Sequence, residues 1–320
     1  MLVSVLLVLG WVSFVKISQG NAAPHQPPCD TPGWFPEDFG LKDHTVFWYD
    51  GYYYLMSNYI NPETKFAYAR STDFCTWEEL DVVLPTRVPG TWDDYGIWAP
   101  HVREENGLYY MYFTGVKRNI TQSILLATTT DPSDPDSWEK QDMVFQPDHA
   151  GMVWEDDVWA DCRDPYVMKD DGTYYLFYTG RDTGGGIVGV ATASTPTGPW
   201  TDMGAIFTLD TGNMAESPAV VKYDGWFYIF YNHSHRWEEF RISASILGPW
   251  GDDGRFSPGW AHEVWQDNGG KWYTSYLTDY TVLISPFIWD DFFYPHRPFI
   301  GTDVYHVLLP LLSLHRSDLE

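Results

Sequence analysis

Three carboxylates stand at matching places in an otherwise repetitive chain. Asp43 and Asp164 each lie three residues before a valine, Val46 and Val167. Three before Val220 is Ser217, with Glu216 one step earlier. Three before Val102 and Val264 the chain carries only Ala99 and Ala261. If these five valines share one structural register, three acids converge while small residues leave room for a ligand. Crowded acids repel one another, and at least one then keeps its proton above the usual carboxylate range. A protonated carboxyl beside an ionised one is the pair that acid–base cleavage of a glycosidic bond requires.

The elements that would position these acids are hairpins. Asp50-Gly51, Asn106-Gly107, Asp171-Gly172, Asp224-Gly225 and Asn268-Gly269 each separate two apolar, aromatic-rich runs. Asp-Gly and Asn-Gly in that setting are the strongest short-range hairpin signals. In all five the valine precedes the turn glycine by five residues. Four of the hairpins lead into a small-residue strand and a loop ending at Trp77, Trp138, Trp200 or Trp250. A unit of three or four antiparallel strands repeated at this period is the signature of propeller blades. The expectation is an all-β, five-bladed β-propeller over residues 37–300, with the first strand of each blade lining a central channel. A β-sandwich has no need of the same register five times.

Composition narrows the partners. The chain has 320 residues, a net charge of -25 and 18% aromatic residues. So acidic a chain is a poor match for nucleic acid or an anionic membrane, and a neutral oligo- or polysaccharide suits it better. The apolar run from Leu2 to Val15, closed by Lys16 and followed by small residues, predicts a signal peptide over residues 1–23 and a secreted protein. Because no basic segment precedes the run, an uncleaved N-terminal anchor is the alternative. Sequons at Asn119 and Asn232 agree with a secreted glycoprotein. Of the three cysteines, Cys29 and Cys75 form the preferred bridge and Cys162 reads as a buried thiol. No Cys/His spacing resembles a zinc site. Residues 301–320 carry no blade pattern and are unassigned.

Four further side chains are candidates to face a ligand. Trp98 and Trp159 could stack on a sugar ring, and His101 and His262 could contact hydroxyls. Arg181 could pair with an acid in the funnel but reads rather as a surface ion pair, and the run Gly184-Gly185-Gly186 reads as a mobile turn.

These residues also carry a resemblance. Trp98-Ala99-Pro100, Asp164-Pro165 and Glu216-Ser217-Pro218 resemble the blade motifs of glycoside hydrolase family 43, inverting five-bladed propellers acting on arabinans and xylans. The resemblance covers roughly residues 41–300 and is more distant to family 32, which handles fructosides. It implies that Asp43, in Asp43-His44-Thr45-Val46, is the general base. It implies that Glu216 is the general acid and that Asp164 tunes and orients that acid. His44 departs from the family's proline, and Arg163-Asp164-Pro165 is the family 32 triplet. His262 approximates the fifth-blade histidine that holds a central calcium through waters, one position off register. No cofactor is expected, with that calcium as the alternative. The reading is therefore an inverting glycosidase of an arabinan- or xylan-type glycan. A retaining fructosidase-like enzyme with Asp43 as nucleophile, or a propeller that only binds carbohydrate, is the alternative. Which sugar is cleaved, and whether from the end or within the chain, is left open.

Overall fold

The computed structural model describes residues 29 and 31–300, apart from 62, 85–88, 235–236, 257–258 and 291–294. The leader over residues 1–23 and the tail over 301–320 lie outside the described residues. Five antiparallel sheets are present, each beginning on an innermost strand. These strands are Leu41–Tyr49, Gly96–Glu105, Cys162–Asp170, Ala215–Tyr223 and Trp260–Gln266, of blades I to V. They carry Val46, Val102, Val167, Val220 and Val264 at one register, and each touches the innermost strand of the next blade around the ring. The five-bladed propeller is thus the observed architecture.

Local chemistry explains most of each blade. At four hairpins the Asp or Asn and the following Gly both take positive φ, as at Asp171 (45°) and Gly172 (79°). That is the two-residue turn whose twist matches its strands. Blade V differs from the sequence expectation. There the chain loops from Asp267 to Lys271, and the positive φ falls on Gly270 rather than on Asn268-Gly269. Asp267 Oδ1 accepts the N–H groups of Gly269 and Lys271, at 2.8 Å each, and so holds this longer turn. The apolar core lies in layers between neighbouring blades and is rich in aromatics such as Tyr112, Phe177 and Tyr228.

The ring is closed by a strand that the sequence does not advertise. Gly33–Trp34, read as lead-in, pairs with strand Thr281–Trp289 and forms an outer strand of blade V. A Cβ at Gly33 would stand 2.3 Å from the Val282 carbonyl oxygen, so only glycine permits this approach. Trp34 stacks on Trp77 of blade I, and Cys29 is bridged to Cys75 with 5.9 Å between Cα atoms. The N-terminal segment therefore ties the first blade to the last. Closing a loop of this size is worth about 4 kcal/mol on chain entropy alone. Replacing Cys29 and Cys75 by Ser should lower Tm by several degrees, read by calorimetry beside the untreated protein. An unchanged Tm would show that the stack and strand pairing suffice. No helix among the described residues is long and apolar enough to cross a membrane.

Candidate active site

The matching register has a structural cause. Asp43, Ala99, Asp164, Ser217 and Ala261 all take positive φ, at 26°, 46°, 54°, 51° and 52°. At each of them the pairing of the innermost strand with its neighbour slips. Each is a β-bulge, which leaves residues unpaired and re-aims side chains. Positive φ in a non-glycine residue is strained, and such strain persists only where the surroundings impose it. Proline follows the bulge at Pro100, Pro165 and Pro218, where no ladder N–H is needed. Blades I and V instead carry His44 and His262.

Neighbouring blades are latched at the bulges. Asn58 Oδ1 accepts the Ala99 N–H at 2.9 Å, and Thr114 Oγ1 accepts the Asp164 N–H at 3.0 Å. Between blades III and IV the latch is Asp164 itself. Its Oδ2 accepts the Ser217 N–H at 3.0 Å and the Thr179 hydroxyl at 3.1 Å. Ser217 also turns its hydroxyl toward Asp43, 3.4 Å from Oδ1.

The structure brings Asp43, Asp164 and Glu216 to one pocket of about 620 Å³. Trp98, Trp159, Trp260 and Tyr280 supply its aromatic walls. Burial, and then the charge of Asp164, push the Asp43 carboxyl up to about 7, with Lys42 opposing. Asp164 is also raised, chiefly by burial and further by Glu216, while Arg163 pulls it down. The Arg163 guanidinium is the hub cation. Its Nη2 donates to Glu216 Oε1 at 2.6 Å, its Nη1 donates to Asp161 Oδ1, and its Nε lies 3.7 Å from Asp164 Oδ2. Asp161 is buried, which acts to raise it, but Arg163, Arg181 and Trp159 together hold it below the usual range.

Trp98 and Trp159 face the pocket, with Trp159 63% exposed and so free to meet a ring. Neither histidine lines this pocket. His101 is buried in the wall with Nε2 3.2 Å from the Val167 carbonyl oxygen and its ring against Tyr166. His262 lines a narrow channel whose walls include Asp43 and Asp164, and there its Nδ1 meets Thr274 Oγ1 at 2.9 Å and its ring stacks on Tyr276. His44 sits in the same channel with Nε2 2.8 Å from Ser275 Oγ, and burial lowers it to about 3, so it is neutral.

A calcium ion asks for six to eight oxygen ligands. No group of three His, Cys, Asp or Glu among the described residues is placed to hold a metal, and His262 has Nδ1 committed to Thr274. That excludes a direct cage among these residues and does not bear on an ion held through waters, and no step below passes through a metal.

Three further corrections concern single residues. Asn232, read as a sequon, is 3% exposed and lines the pocket, so a glycan cannot be carried there in the folded chain. Asn119 lies exposed at a hairpin turn. Arg181 is no loose surface pair, because its Nε donates to buried Asp161 at 3.1 Å inside the pocket. Gly184 lies in the turn, whereas Gly185 and Gly186 are strand residues, Gly186 donating to the Asn213 carbonyl and accepting from the Leu209 N–H. Sequence reading missed Asp161, Trp260 and Tyr280. For Asp161 the signal was present, since Trp159, Asp161 and Arg163 alternate on one face of an extended segment.

Comparisons with known proteins bear on the family and the fold. Residues 39–152 match the family model described as "Glycosyl hydrolases family 43". A probable arabinan endo-1,5-alpha-L-arabinosidase C of Aspergillus niger is 39% identical over 84 residues, 24% of this chain and 24% of that protein. A probable arabinan endo-1,5-alpha-L-arabinosidase A of Aspergillus fumigatus is 30% identical over 134 residues, 40% of this chain and 37% of that protein. The matches thus span about a quarter to two fifths of those relatives. Among solved structures, the arabinanase of Bacillus subtilis superposes with a TM-score of 0.64 at 17% identity, over 80% of this chain and 97% of that one. That likeness is one of fold.

Proposed function

We propose that this family-43-like five-bladed propeller is a glycosidase that hydrolyses an arabinan-type glycan with inversion. The observation that carries the reading is the convergence of Asp43, Asp164 and Glu216 on one aromatic-walled pocket at the channel mouth. Glu216 gives its proton to the leaving oxygen, and Asp43 takes a proton from the water that attacks the anomeric carbon. Asp164 adds its charge to the burial that raises the proton affinity of Asp43, and it holds the Ser217 N–H while the Ser217 hydroxyl faces Asp43. Asp43 and Glu216 belong to blades I and IV, which are not adjacent in the ring. Opposed carboxyls leave room for a water, as inversion needs. The aromatic walls suit stacking on sugar faces, and the names of the fungal relatives supply arabinan as the first substrate to try. A polymer of that kind is met outside the cell, in keeping with the apolar leader and with the disulfide.

One observation favours a second reading. Arg163, from the fructosidase-like triplet, is bonded to Glu216. In that reading Asp43 attacks directly and configuration is retained. Digestion of linear α-1,5-arabinan and of a fructan, followed by NMR of the first-formed anomer, separates the readings. Arabinan cleaved with inversion is the expected result. A retained product, or cleavage of the fructan alone, moves the chain to the second reading. Tight binding of oligosaccharide without cleavage would make it a carbohydrate-binding propeller.

A further inference from the structure

We infer that Asp161 is a positioning residue that joins the sugar-stacking platform to the proton donor; the inference rests on the glycosidase reading above. Its carboxylate is 4% exposed and holds three pocket side chains at once. Oδ1 accepts the Trp159 indole N–H at 3.1 Å and an Arg163 N–H, and Oδ2 accepts the Arg181 Nε–H at 3.1 Å. Arg163 passes the connection on to Glu216 at 2.6 Å. Trp159 is otherwise the most exposed large aromatic among the described residues, and an indole that open has little else to fix its plane.

The backbone beneath this hub is fixed. Gln122 N–H donates to the Ala160 carbonyl at 3.1 Å, and the Thr121 hydroxyl donates to the Val158 carbonyl at 2.8 Å. Ala160 and Cys162 are buried on the opposite face of the same segment, so Trp159, Asp161 and Arg163 project together. A sugar that settles on Trp159 therefore bears on the same carboxylate that orients the guanidinium of Arg163. Two consequences follow. Loss of Asp161 should free the indole and weaken substrate binding. Loss of its charge should also leave Arg163 less neutralised, which favours the anionic form of the carboxylates Arg163 still faces, Glu216 and Asp164. The other charges around the hub are Arg181 beside it, and Lys42 and Asp43 in the same pocket; the Cys162 thiol is buried and held neutral.

The test uses the full chain with Asp161→Asn, Asp161→Ala, Trp159→Ala and the Asp161→Ala/Trp159→Ala double variant. On arabino-oligosaccharides Trp159→Ala should raise KM about tenfold with the pH profile of kcat unmoved, one stacked ring being worth roughly that factor. Asp161→Ala should raise KM by a similar factor and lower kcat as well, and the double variant should show no further rise in KM. Asp161→Asn should move the basic limb of the kcat profile to lower pH. Independent KM effects, or a profile superimposable on the parent's, overturn the inference. A readout apart from activity separates its failure from that of the glycosidase reading. The Trp159 indole N–H resonance, identified by its loss in Trp159→Phe, should move on Asp161→Asn. An unmoved resonance overturns the hub even if no substrate has been found, whereas a shifted one beside an inactive parent protein overturns only the glycosidase reading.

Discussion

Glu216→Gln is expected to lower kcat on arabinan by about 10²–10⁴-fold, the usual range for loss of a general acid. An alkoxide leaving group departs poorly without a proton, so the deficit falls on chemistry. Aryl glycosides release a phenolate that needs protonation far less, and on them the loss should stay below about tenfold. The substitution also removes a charge from beside Arg163, whose Nη2 lies 2.6 Å from Glu216 Oε1. Arg163 keeps Asp161 and Asp164 as counter-ions, so the fold should survive with a modest fall in Tm. Steady-state kinetics on the two substrate types decide the matter. An equal loss on both would mean that Glu216 serves only as the partner of Arg163.

How much of this was legible in the sequence follows from how local each signal is. The Val-to-Gly spacing identified all five innermost strands, because a strand's period of two and a positive-φ turn are both written in neighbouring residues. The closing strand Gly33–Trp34 is two residues long, and its partner stands some 250 positions away, so no pattern in its own neighbourhood declares it. Equal register also brought Asp43, Asp164 and Glu216 together, because the same bulge recurs in every blade. Residue type alone marks His101 and His262 as ligand contacts, and it carries no direction. The bulges at Ala99 and Ala261 stand just before them, and His101 lies in the wall and His262 in the narrow channel. Asn232 shows the limit of motif reading, since a three-residue sequon says nothing of the sheet that buries it. Arg163 was seen only as a departure from a pattern, while its three carboxylate partners come from loop, strand and neighbouring blade.

Asp43→Asn should abolish activity and at the same time stabilise the protein above neutral pH. The folded chain holds the Asp43 proton up to about 7, through burial and the nearby Asp164, against 3.8 for an unperturbed aspartate. Between those two values the folded state binds more protons than the unfolded one, so this group makes stability fall as pH rises from about 4 to about 7. Above that window the cost of an ionised Asp43 is fully present. The linkage limit for such a shift is about 4 kcal/mol. Contact of the carboxyl with the wet pocket should reduce the gain from Asn to about 1–3 kcal/mol. Melting at pH 8 and pH 5 checks the sign, with the larger rise in Tm expected at pH 8. Activity of the parent enzyme gives the matching half of the argument. A general base must be ionised, so kcat/KM should decline as pH drops through about 7 rather than through about 4. Asp164→Asn removes the neighbouring charge that raises Asp43, and should carry that limb to lower pH. A variant destabilised equally at both pH values would place Asp43 among the residues that hold the bulge together, and the role of base would pass to another group.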